Sequence, residues 1–201
     1  MEPEDWNIVI LGAWNRAILS PAWIQENMLA LPQGSPVDVL VPLDGFAPFQ
    51  VHDRGLTVVP LPGQLIIQLA EPTEALLTRA KEVACRAVDD LPRTPQRACG
   101  INLRYAAPES PVELLTRMRC STEQIFSDEG YDLRTRRRGE TLKFFEGVLN
   151  IIADIPTDGK CNIVLNFDRQ SVAKDDVLAW LRKDATVFMN EALKIVRLIA
   201  E

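Results

Sequence analysis

The chain has 201 residues, 47% of them hydrophobic and 25% charged, with 22 Lys and Arg against 28 Asp and Glu. This balance excludes wholesale disorder, and no apolar run approaches the ~20 residues of a bilayer-spanning helix. A net charge of −6 and a pI near 5.0 argue against a whole face laid on nucleic-acid phosphates, which needs clustered Lys and Arg.

Residues 6–12 are short, apolar and rich in β-branched side chains, as in a strand buried on both faces. A helical turn is predicted over 21–27, and Pro32, Gly34 and Pro36 then break the chain. Residues 37–41, 55–59 and 64–69 read as strands of an antiparallel meander, ended by Pro42, Pro60 and Pro62, which cannot donate to a ladder. Between the first two, the segment around His52 reads as a turn. A long helix is predicted from Pro72 to the residues before Pro92. Along it Leu76, Ala80, Val83, Ala84, Ala87 and Val88 recur at helical spacing, while Arg79, Lys81, Glu82 and Arg86 fall away from that stripe. A strand follows over 98–105.

Ser110, Pro111 and Glu113 form a capping box for a short helix to about residue 119, and Ser121 to Gln124 repeat it. Strand character returns over 130–138, 141–153 and 161–167, with Asp158-Gly159 as a hairpin signal between the last two. A long helix over 172–199 closes the chain, its Leu178, Leu181, Ala185, Phe188, Ala192, Ile195 and Ile199 stepping by three and four. That stripe fits packing on the chain's own sheet, or self-association. Runs of antiparallel strands followed by helices predict an α+β fold without βαβ alternation. We expect one domain of two meander-plus-helix lobes, 1–107 and 108–201, with the helices on one face of the sheet.

Several chemistries lack their residues. His52 is the only histidine, no G-x-S-x-G elbow accompanies it, and neither a G-x-x-x-x-G-K-[ST] loop nor a G-x-G-x-x-G loop occurs. Cys85, Cys99, Cys120 and Cys161 are 14, 21 and 41 positions apart, too scattered for the close ligand pairs of a structural zinc site. They read as reduced thiols, Cys85 and Cys161 as small core side chains. The acid pairs Asp89-Asp90, Asp128-Glu129 and Asp175-Asp176 read as helix caps and solvated turns. No catalytic residue, metal or cofactor is expected. The opening residues 1–5 lack the basic stretch of a signal peptide, so a cytoplasmic protein is expected.

The sharpest charge feature is Arg134, Arg136, Arg137 and Arg138. In a strand, Arg134, Arg136 and Arg138 share one face and could grip phosphates or carboxylates; equally, they could guard an edge strand, with Asp132 and Glu140 neutralising them. Trp6, Trp14, Trp23, Phe46 and Phe49 near the N-terminus serve either a core or an interface. Three functions remain. The first is protein–protein binding or assembly, with a protein partner or a second copy and no membrane. The second is an enzyme or small-ligand-binding protein with a pocket between the sheet and the long helices, lined by Arg104, Tyr105, Asn150, Asn166 and Arg169. The third is nucleic-acid or phosphate binding through 134–138.

Overall fold

The computed structural model describes residues 1–41, 43, 49–109, 123–157 and 159–200. The chain runs β1 (Glu2–Gly12), a short α1 (Pro21–Trp23) passing into a π-helical turn (Ile24–Met28), then β2 (Asp38–Leu40), β3 (Gln50–Asp53), β4 (Leu56–Pro60) and β5 (Gln64–Leu69). Helix α2 (Glu74–Asp90), β6 (Gln96–Ala107), α3 (Glu123–Asp128), β7 (Thr135–Phe144), β8 (Gly147–Pro156) and β9 (Cys161–Gln170) follow, and α4 (Lys174–Arg182) and α5 (Ala185–Ala200) finish it. The nine strands form one antiparallel sheet in the order β2-β3-β4-β5-β1-β6-β9-β8-β7, so the fold is mixed α+β. Strands β1 and β6 meet in the middle and join the meander β2–β5 to the meander β7–β9 in a single sheet.

Three boundaries differ from the sequence reading, each for a local reason. His52 lies in a strand, β3, because Arg54 and Gly55 alone make the turn, both with positive φ (44° and 81°), as a two-residue hairpin turn requires. The expected strand over 141–153 folds back on itself at Phe145-Glu146, where Phe145 itself takes a positive φ of 49° and Gly147 comes only after the turn, opposite Phe144. The closing helix is two helices. Asp184 Oδ1 accepts from the backbone N–H of Thr186 at 2.9 Å, an N-cap that starts α5 afresh. The box at 110–119, Ser121-Thr122, Phe46 and Cys120 lie outside the described residues.

Helix α2 begins two residues into its predicted span, capped by Thr73, whose Oγ1 accepts from Leu76 N at 3.3 Å. Thr73→Ala should therefore lower unfolding stability by about 1 kcal/mol in a denaturant titration.

Alternation along the strands divides the sheet into a core face and its opposite. Ile8, Ile10, Ile101, Leu103, Leu149, Ile151, Leu165 and Phe167 are buried, and the residues between them are mostly half-buried or exposed. Phe188 of α5 sets the depth of this core, its ring 5.4 Å from those of Phe167 and Trp180 and 5.9 Å from that of Phe144. The terminal stripe is consumed here. Leu178, Leu181, Ala185, Phe188, Ala192 and Ile195 are all buried within the chain itself, which leaves no exposed stripe for self-association. Trp6 and Trp14 also fill the core, and Trp14 Nε1 donates to the Ile10 carbonyl at 2.9 Å. Among the described residues no helix is long and apolar enough to cross a membrane.

Candidate functional site

The registers carry one polar row across the sheet on the face opposite the core: Asp38, His52, Thr57, Gln68, Asn7, Asn102, Asn166, Asn150 and Thr141, one residue from each strand. Its last five members are bonded side chain to side chain. Thr141 Oγ1 donates to Asn150 Oδ1 (2.9 Å), Asn150 Nδ2 to Asn166 Oδ1 (3.0 Å), Asn166 Nδ2 to Asn102 Oδ1 (2.7 Å), and Asn102 Nδ2 to Asn7 Oδ1 (2.7 Å). All four bonds point the same way, from β7 to β1, so the amide dipoles add and each bond polarises the next. An amide has two donors and two acceptor lone pairs, and a ladder of this kind uses one of each. The remainder faces outward, so the row presents neutral hydrogen-bonding groups along five adjacent strands.

Apolar and charged residues flank the row. Val164 and Ile152 lie on one side and Val9 and Val148 on the other; Ile152 is 42% exposed. Further out, Arg104 pairs with Asp5 at 3.1 Å and Arg137 with Asp154. Gly100 makes room for the ladder. A Cβ there would stand 2.8 Å from Asn166 Nδ2, closer than real Cβ contacts come, so a side chain at 100 would push Asn166 out of line. Toward β4 and β5 the same face is closed by Val59 and Leu61, with Ile66 packed against them.

The arginine strand is β7 from residue 135 onward. Arg136 and Arg138 share the core side of the sheet and Arg137 points to the opposite side, while Arg134 precedes the strand and offers its carbonyl to Thr157 N at 2.9 Å. Arg136 grips Glu123 with two bonds of 2.8 and 2.7 Å, Arg138 bonds Glu140, and Arg137 bonds Asp154. The Arg137 bond holds the Asp154 carboxyl below the usual carboxylate range.

The other sequence candidates do not converge. Arg104 lies on the open face, whereas Tyr105 is buried on the core side against Trp6, at 6.2 Å between ring centroids. Burial pushes the Tyr105 hydroxyl up to about 12. Arg169 bonds Asp176 at 2.6 Å. His52 Nδ1 bonds Thr57 Oγ1 at 2.8 Å and its buried Nε2 has no hydrogen-bond partner among the described residues, while Asp53 is held by Arg79, so the two neighbours do not act as a pair.

One residue the apolar stripe does not announce is Lys81, which is buried one turn beyond Leu77, at the edge of the stripe, where α4 and α5 pack on α2. Its Nζ donates to the carbonyl of Lys183, the residue that ends α4, and lies 5.1 Å from the centre of the Phe188 ring. Burial lowers its pKa to about 8, against the pull of Asp184. Lys81, Cys85, Arg182 and Asp184 line a groove of about 620 Å³ between α2 and the α4–α5 junction. Among the described residues no group of His, Cys, Asp and Glu could hold a metal ion.

Comparison with family models, with curated proteins and with solved structures returned no match for this chain. The site therefore rests on its own geometry. The signal for it stands in the sequence as asparagines inside four apolar strands, at Asn7, Asn102, Asn150 and Asn166, with Asn162 of β9 lying outside the row. Asparagine is depleted from strands, and four such exceptions in one row are the feature that spacing within any single strand does not show.

Proposed function

We propose that the protein acts by binding another protein through the open face of its sheet, and not by transforming a ligand. In this reading two meander-plus-helix halves share one sheet, α2, α4 and α5 occupy one side, and the other side is left as the working surface. The observation that carries it is the hydrogen-bonded ladder Asn7–Asn102–Asn166–Asn150–Thr141 with valine and isoleucine beside it. Holding four amides in line orders their side chains before a partner arrives, which lowers the entropy lost on binding. An apolar strip inside a charged margin is also how protein interfaces are built. Thiols at Cys85 and Cys99 outside any disulfide fit the cytoplasmic location proposed here.

In cross-linking of the tagged chain to its cellular partner, cross-links should run through Lys143, which lies on this face, and Asn102→Arg should lose the partner with its Tm within a few degrees of wild type. Cross-links confined to Lys194 of α5, or undiminished capture by Asn102→Arg, would sink the proposal.

The groove beside Lys81 supports a second reading, a small-ligand protein. A ligand at 100 times its Kd would raise stability by about 2.7 kcal/mol in a thermal-shift screen, and Lys81→Met would abolish that shift. Nucleic-acid binding has the least support, because Arg136, Arg137 and Arg138 each already hold a carboxylate.

A further inference from the structure

Strand β7 ends the sheet, and along 137–143 its backbone pairs with β8 alone among the described residues. Proteins usually blunt such an edge with a short strand, a bulge or a proline. The opposite edge, β2, is three residues long. Strand β7 uses none of these devices: ten residues run in unbroken register with β8 from Thr135↔Pro156 to Phe144↔Gly147, and all but Arg136 and Phe144 are exposed. Only charge guards it, and charge discriminates between partners.

We propose that β7 pairs antiparallel with β7 of a second copy, with the two-fold axis through Gly139. Residues directly opposite each other in an antiparallel pair share a face of the sheet, and a two-fold axis leaves each residue on its own face, so only registers with a residue on the axis are allowed. An axis at Arg137 or Arg138 sets arginine on arginine. An axis at Glu140 sets the two glutamates together and Arg137 against Lys143. An axis at Thr141 pairs no opposite charges and leaves seven residues in overlap. With Gly139 on the axis, Arg138 of each copy faces Glu140 of the other, Arg137 faces Thr141, Arg136 faces Leu142, and Thr135 faces Lys143. That register has two opposite-charge pairs, no like-charge pair and nine residues in overlap. The Arg138 and Glu140 side chains are 59% and 40% exposed and already bonded to each other, so both are placed to exchange partners across the axis.

Gly139 is a second, independent observation. A glycine inside a strand weakens it and commonly marks a close approach of another backbone. Nothing among the described residues asks for glycine here. Its φ lies outside the left-handed region, and an added Cβ would meet only the Ile151 carbonyl, at 4.0 Å. The pair makes one sheet of twice the width, with the open faces of both copies on the same side. It does not depend on what that face binds, because its test reads mass alone.

Sedimentation equilibrium of the full chain from 1 to 100 µM tests it. Wild type should be a dimer. Arg138→Glu and Glu140→Arg should each raise the dissociation constant by about 10- to 100-fold, because two opposed pairs become like-charged at once. The exchange of both, Arg138→Glu with Glu140→Arg, should restore the dimer. Using both single variants guards against one failing to fold, which circular dichroism reports. A monomeric wild type, an assembly larger than a dimer, a dimer indifferent to both single variants, or an exchange that restores nothing would overturn the proposal.

Discussion

Phe188→Ala should lower unfolding stability by about 3–5 kcal/mol, the range of a large aromatic truncated in a closed core. Phe188 is fully buried, and three aromatic rings meet it: Phe167 from β9, Trp180 from α4 and Phe144 from the end of β7. The ammonium of Lys81 adds a fourth neighbour, from α2. With α5 itself the cluster draws on five elements, so the surroundings cannot close over the gap without shifting a helix, and the cavity term adds to the lost transfer energy. Edge-on ring pairs of this kind contribute beyond their buried area. For a chain of this size, ~3–5 kcal/mol corresponds to a fall in Tm of roughly 10 °C. Phe126→Ala, on the exposed helix α3, is the matched control and should change stability by less than about 0.5 kcal/mol. A loss at Phe188 no greater than at Phe126 would mean that this cluster does not organise the core.

The sequence reading locates most strands and both long helical segments because these follow from periodicity, which is local. Residues 64–69 and the end of the helix at Asp90 come directly from a run of apolar side chains and a proline. What it does not locate are features made by pairing. The Phe145-Glu146 turn carries no glycine, so two strands read as one. The break at Asp184 interrupts no hydrophobic spacing, because the same stripe stays buried on both sides of it. Lys81 sits at the edge of the apolar stripe of α2 and is buried where α4 and α5 arrive from about 100 residues away along the chain. The candidate site shows the same limit. Asn150 and Asn166 are visible as polar residues inside strands, but nothing in either strand says that they stand opposite each other, or that Asn102 and Asn7 continue the row. That fact lives in the register, and register is set by which face each strand must bury.

Lys81 also governs how stability depends on pH, and the sign can be worked out. Its pKa falls from an ordinary 10.5 to about 8 on folding, so between those values the unfolded chain carries a proton that the folded chain has released. Stability therefore rises with pH across that window, by about 1 kcal/mol between pH 8 and pH 9. Two thiols oppose the rise, Cys99 buried and Cys85 half-buried. Burial pushes Cys99 and Cys85 above their ordinary value of 9.0, so above pH 9 the folded chain retains protons that the unfolded chain loses, and stability falls. Tyr105, raised to about 12, deepens that fall above pH 10. Stability should thus pass through a maximum near pH 9, higher than the range where most proteins are most stable. Lys81→Met keeps the aliphatic stem against Phe188 and removes the titrating amine. In urea titrations at pH 7.5, 8, 8.5 and 9, the stability of wild type relative to Lys81→Met should climb by about 1 kcal/mol over the last unit, because titrations not coupled to Lys81 cancel in the difference. The neutral amine still donates to the Lys183 carbonyl, so the climb reports relief of a buried charge and not the loss of that bond. A difference that stays flat from pH 7.5 to 9 would show that Lys81 reaches water in the folded chain, and the seal between α2 and the α4–α5 junction would then be open.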